Sequence, residues 1–175
     1  MRRPRRRPPS TKTPMSEIRV NRHTPIIISI VVALMLAIAP MPEWAIPFRP
    51  DWVAITMIYW GMTFPHNYSV GSAWIAGLVL DVAQGTLLGQ HALALTVVMY
   101  ATVKFHLQFR QFPIAQLVAT IFALLALYQF ILFWINGVAG ISAPTVVYWG
   151  PVISGALLWP LISMVLIGVR QRVRG

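Results

Sequence analysis

The sequence predicts an all-α integral membrane protein of about six transmembrane helices, and three observations carry the prediction. Hydrophobic residues make up 57% of the 175 positions and charged residues only 10%, against roughly 25% charged in a soluble domain. The apolar residues gather into six runs, at 25–41, 52–64, 70–88, 92–103, 113–135 and 146–169. The charges that remain stand outside those runs, mostly as arginine and lysine at the two ends of the chain, where basic residues mark the cytoplasmic side of a membrane protein.

Taken in order, residues 1–24 carry Arg2, Arg3, Arg5, Arg6, Arg7, Lys12, Arg19 and Arg22 among several prolines, with almost nothing apolar to bury. This composition predicts a disordered basic cytoplasmic tail, and Met15 offers a second possible start. The run at 25–41 ends in Pro40, Pro42 and Glu43 without a small-residue cleavage site, so it reads as a retained span rather than a signal peptide. Crossing a hydrocarbon core takes about 20 helical residues. The runs at 52–64 and 92–103 are shorter, and they are expected to borrow flanking residues or to be buried by their neighbours. Residues 25–169 form the membrane domain, and residues 170–175 a basic cytoplasmic C-terminus.

Charge placement tests the count independently. If the tail, the pair Lys104 and Arg110, and the group Arg170, Arg172 and Arg174 are all cytoplasmic, four spans precede the pair and two follow it. Eight, two and three then place thirteen of the fourteen basic residues inside and leave Arg49 outside. Trp44, Trp52, Tyr148 and Trp149 flank the outer loops, at the headgroup level such rings prefer.

The composition also excludes function classes. A net charge of +10 is confined to tails and loops, so nucleic acid is not an expected partner, whereas anionic lipid is. With no cysteine, disulfide and zinc-thiolate chemistry are absent. No serine, histidine and acid set stands in a nucleophile context, no metal-ligand spacing appears, and no cofactor is implied.

Two stretches carry polar groups where they are costly. Asp81, in GLVLDVAQGTLLGQHAL at 77–93, is the only acid inside a run, and a mid-membrane carboxylate costs at least about 2.5 kcal/mol unless it finds a partner. Gly77, Asp81 and Gly85 recur every fourth residue, with Gly89 extending the stripe, which predicts one small-residue helix face open to close packing. The ordinary reading is an Asp81 hydrogen-bonded to a neighbouring helix or capping the turn at Gly85, with Asp81→Asn then mild. The sharper reading is ion or solute handling, with Gln90 and His91 as candidate relay neighbours. The second stretch is PFRPDWVAITMIYW at 47–60, with Arg49 and Asp51 either side of Pro50. A local ion pair capping the second span is the ordinary reading, and a partner-binding edge the alternative. His66 and His106 fall in expected inner loops.

At these two stretches the chain resembles the rod shape-determining MreD family, small inner-membrane components of the bacterial elongation machinery. Asp81, Gly85 and Gly89 at their spacing are the more specific match, Arg49, Pro50 and Asp51 the weaker, and the long basic tail departs from the usual short N-terminus. The resemblance implies a non-enzymatic partner of MreC, MreB, and the RodA and class B penicillin-binding protein pair. It also implies a helical fold similar to the substrate-binding components of vitamin uptake transporters. That likeness supplies the rival reading, a solute-binding transporter subunit, against which the outer loops offer few polar groups.

Overall fold

The computed structural model of the chain describes residues 24–65, 68, 70–109, 111–141 and 147–174. The basic tail up to residue 23, His66, Arg110, Ser142 and Thr145 lie outside the described residues, as does the question of Met15. Among the described residues the secondary structure is entirely helical: α1 (Thr24–Ile38), α2 (Trp52–Thr63), α3 (Val70–Gln84), α4 (Gln90–Phe109), α5 (Ile114–Val138) and α6 (Gly150–Arg174). Short 3-10 turns at Ile46–Phe48 and Val147–Trp149 lead into α2 and α6.

Each expected run is a helix, but the lengths are redistributed. Three helices are long and apolar enough to cross a membrane, at Gln90–Phe109, Ile114–Val138 and Gly150–Gln171. The fourth run is therefore a full-length helix, which extends past Val103 through Lys104 to Phe109. The third stops at Gln84 rather than at 88, because Gly85 takes the left-handed conformation (φ 65°) and ends the helical repeat. At 15 residues each, α1 and α3 reach about 22 Å at 1.5 Å per residue.

The 12-residue α2 is the shortest helix and the most enclosed. Every residue from Val53 to Gly61 is buried, and α1, α4, α5 and α6 all pack on it. The expectation that neighbours would cover this short run is met here. Its apolar residues point in all directions, as they must in a helix surrounded by protein. Trp60 donates from Nε1 to Ser29 Oγ of α1 at 2.8 Å, which satisfies an indole N–H buried in an otherwise apolar core. The lipid-facing surface is equally apolar, with Ile75, Val82, Leu157, Met164 and Val165 among its exposed side chains.

The connections at 39–51 and 85–89 and the described residues 139–141 and 147–149 share one end of the bundle. Arg49 reaches the C-terminal carbonyls of α1, and Gly150 lies against the backbone of Pro47. Gln129 and Asn136 of α5 bond to Tyr148. At the opposite end Arg170 of α6 shares a crevice with Thr63, Phe109 and Phe112.

Candidate functional site: a buried carboxylate that caps the next helix

The segment from Gly77 to Ala92 forms two antiparallel helices joined by five residues. Its geometry follows from where the backbone hydrogen-bonding groups must go. At the end of α3, Gly85 N–H donates to Val82 O at 3.4 Å and Thr86 N–H to Asp81 O at 3.1 Å. Together with the positive φ of Gly85 these bonds make a Schellman ending, the motif that favours glycine at this position. Gly89 has φ 98° and is the N-cap of α4, its carbonyl accepting from Leu93 N–H at 2.8 Å.

A helix start leaves four N–H groups without helical partners, and an N-cap side chain ordinarily takes some of them. Gly89 has no side chain, so Asp81 supplies the carboxylate from the preceding helix. Its Oδ2 accepts from Gly89 N–H at 2.8 Å and Ala92 N–H at 3.4 Å. Its Oδ1 accepts from His91 N–H at 3.0 Å. Gln90 N–H, the fourth group, goes to Leu87 O at 3.1 Å. The negative charge thus sits at the positive end of the α4 dipole, and Asp81 is fully buried there.

The imidazole of His91 completes the arrangement. Its Nδ1 lies 2.7 Å from Asp81 Oδ1, and against an ionised carboxylate, which only accepts, Nδ1 is the donor. Thr86 Oγ1 lies 3.2 Å from the same carboxylate oxygen. On its other side the His91 ring faces Tyr128 of α5, with centroids 6.2 Å apart. Close approach of α3 to α4 is made by Gly77: a Cβ added there would fall on the backbone of Ala92.

Of the residues singled out from the sequence, Gly77, Asp81, Gly85, Gly89, Gln90 and His91 are therefore brought together, but not as one helix face. Gly77 and Asp81 are on α3, whereas Gly85 and Gly89 bracket the turn, with positive φ and open space around the site of a Cβ. The spacing of four that suggested a stripe reflects a stripe in one half and turn chemistry in the other. Thr86 and Tyr128 were not anticipated. Tyr128 and Gln129 are a polar pair inside the run at 113–135, and that interruption was the available signal.

The second stretch departs from the expected ion pair. One terminal nitrogen of Arg49, Nη2, donates to Leu36 O and Ala39 O, each at 2.8 Å, so the guanidinium caps the C-terminus of α1, the end that favours a cation. Asp51 precedes α2 without a side-chain capping bond, and among the described residues the one ion pair is Asp81 with His91. Pro50 separates the two charged residues, and its carbonyl accepts from Trp52 N–H at 2.9 Å. Among the described residues, no three His, Cys, Asp or Glu side chains group as a metal site.

An all-helical bundle with three membrane-length helices and a buried, internally bonded carboxylate is that of a polytopic membrane protein. The family model for the rod shape-determining protein MreD matches residues 19–167, and the chain belongs to that family. It is similar to the rod shape-determining protein MreD of Haemophilus influenzae, with 29% identity over 148 residues, 82% of this chain and 89% of the relative. No solved structure matches the chain. Membership makes this a membrane protein with a role in determining rod shape.

Proposed function

We propose that the chain is a non-enzymatic component of the bacterial cell elongation machinery in the inner membrane. It links MreC and the MreB filament to the RodA and class B penicillin-binding protein pair that builds the lateral wall. The observation that carries a structural rather than a transporting role is the occupancy of Asp81. Both carboxylate oxygens accept from backbone N–H groups of α4, and Oδ1 also from His91, so the buried charge is used to fasten two helices together. An ion carrier needs a carboxylate whose ligands exchange.

The proposed topology has six crossings and both termini in the cytoplasm. Two features support it: the described residues of the three connections, 39–51, 85–89, 139–141 and 147–149, share one end, and among the described basic residues Arg170 lies at the other. The shorter helices α1, α2 and α3 cross where the bilayer thins locally or flanking residues complete the span.

Site-directed photocrosslinking from exposed positions such as Ile75, Val82 and Leu157, in living rod-shaped cells, tests the proposal. Capture of MreC or of the RodA and penicillin-binding protein pair is the expected result. Adducts only with a transporter's energising subunits would refute it in favour of a solute-binding role.

A further inference from the structure

A second polar cluster lies beside the Asp81 site and is not explained by it. Arg49 Nε, Asp51 Oδ2, Trp52 Nε1 and the Tyr128 hydroxyl are each buried without a hydrogen-bond partner among the described residues. All four residues line one small cavity of about 40 Å³, walled otherwise by Ala37, Pro50, Val53, Ala54, Leu80 and Gln84. Tyr128 is completely buried, and no other group among the described residues answers its hydroxyl. A buried polar atom left unpaired costs about 1–3 kcal/mol, and four around one cavity point to a common partner.

We propose that this cavity is a binding site for ordered water. A water needs roughly 10–15 Å³ of such space and two to four polar partners, so the cavity has room for a water that reaches all four groups. The chemistry of the wall fits that molecule. Arg49 Nε–H and Trp52 Nε1–H donate, Asp51 Oδ2 accepts, and the Tyr128 hydroxyl does either. A water oxygen accepts from the two N–H groups while its protons go to the carboxylate and the phenol. The same two N–H donors repel a metal cation, which would need acceptors in their place.

The site has a route to solvent. An open crevice of about 430 Å³, lined by Ala37, Ile38, Arg49, Ala83, Gln84 and Thr86, shares Ala37, Arg49 and Gln84 with the cavity. The consequence concerns the two sequence stretches together. The water joins the turn at Arg49, Pro50 and Asp51 to Tyr128, whose ring rests against His91, and His91 holds Asp81. The two stretches thus meet in one hydrogen-bonded and packed unit, with Tyr128 of α5 as the hinge point between them.

X-ray radiolytic labelling of the purified full-length protein tests this, because hydroxyl radicals formed from a bound water modify the side chain touching it. Tyr128 is expected to label several-fold faster than Trp60, which is equally buried but has its indole N–H bonded to Ser29. Labelling of Tyr128 no faster than Trp60 would overturn the proposal. Thermal unfolding gives a second readout: a chain carrying Asp51→Ala and Tyr128→Phe together should lose no more stability than the worse single variant. Fully additive losses would mean that the two groups share no water, and would also overturn it.

Discussion

Replacing Asp81 by asparagine probes the carboxylate that joins α3 to α4. An asparagine keeps the volume and one carbonyl oxygen but turns the other acceptor into an NH2 donor. In the structure one oxygen faces Gly89 N–H and Ala92 N–H, and the other faces His91 N–H and Nδ1. Either orientation of the amide sets a donor against at least one buried backbone N–H. The mild effect expected from sequence, where only one partner was envisaged, is therefore too small. Leaving one buried N–H unpaired costs about 1–3 kcal/mol, and losing the anion at the helix start adds about 0.3–1 kcal/mol, up to about 2 in partly buried settings. The sum is about 1–4 kcal/mol for Asp81→Asn, and up to about 5 kcal/mol at the largest dipole term. Asp81→Leu removes every acceptor and is expected to prevent accumulation. The assay is reversible unfolding of the purified chain in mild detergent micelles, with membrane abundance as the cellular readout. Stability of Asp81→Asn within about 0.5 kcal/mol of the parent, a range typical of inconsequential substitutions, would refute the capping role.

The remaining expectations concern the glycines and the topology. Gly77→Ala should destabilise the chain by at least about 1–3 kcal/mol, the usual cost of overpacking, because its Cβ would meet the Ala92 backbone; Gly71→Ala, which has open space, should be neutral or slightly stabilising in the same melts. Gly85→Ala and Gly89→Ala should each cost about 1–2 kcal/mol through left-handed backbone strain alone, and equal stability would contradict the turn geometry. Alkaline phosphatase fusions after Met41 and at Gly140 should be active, and those after Phe64, at Gln108 and at the C-terminus inactive; an active C-terminal fusion contradicts six crossings. A chain starting at Met15 should still support rod shape if the basic tail acts only through lipid, at about 1 kcal/mol per residue near the surface; round cells at normal membrane levels would mark the tail as a specific partner site.

The helical membrane fold was legible because lipid leaves few alternatives: long apolar runs must satisfy their backbone internally, and a helix does so. Boundaries were less legible where a turn is built from apolar residues. Leu87 and Leu88 continue the hydrophobic run beyond Gln84, yet the backbone of Gly85 has already left the helix. At the other extreme, Lys104 and His106 looked like loop residues, but α4 carries both on its exposed end. Asp81 was recognisable as a costly group needing a partner. Its partners were not, since three of them are backbone N–H groups that every residue possesses. Arg49 and Asp51 invited an ion pair by proximity in sequence, whereas the rigid Pro50 between them and the free carbonyls of α1 direct the guanidinium elsewhere. Tyr128 acquires meaning only from the packing of α5 against α4 and α2, which periodicity in a uniformly apolar chain does not reveal.

A structural role in rod shape is open to complementation. In a rod-shaped bacterium depleted of its own MreD protein, cell width and length are measured while this chain is expressed at matched membrane abundance. The intact chain is expected to restore rods. Asp81→Asn is expected to support them only in proportion to the folded protein remaining. Round cells with the intact chain folded and present at normal levels would contradict the structural role, as would round cells from a fully abundant and stable Asp81→Asn chain, since the carboxylate would then serve an exchangeable ion or partner rather than the joint between α3 and α4.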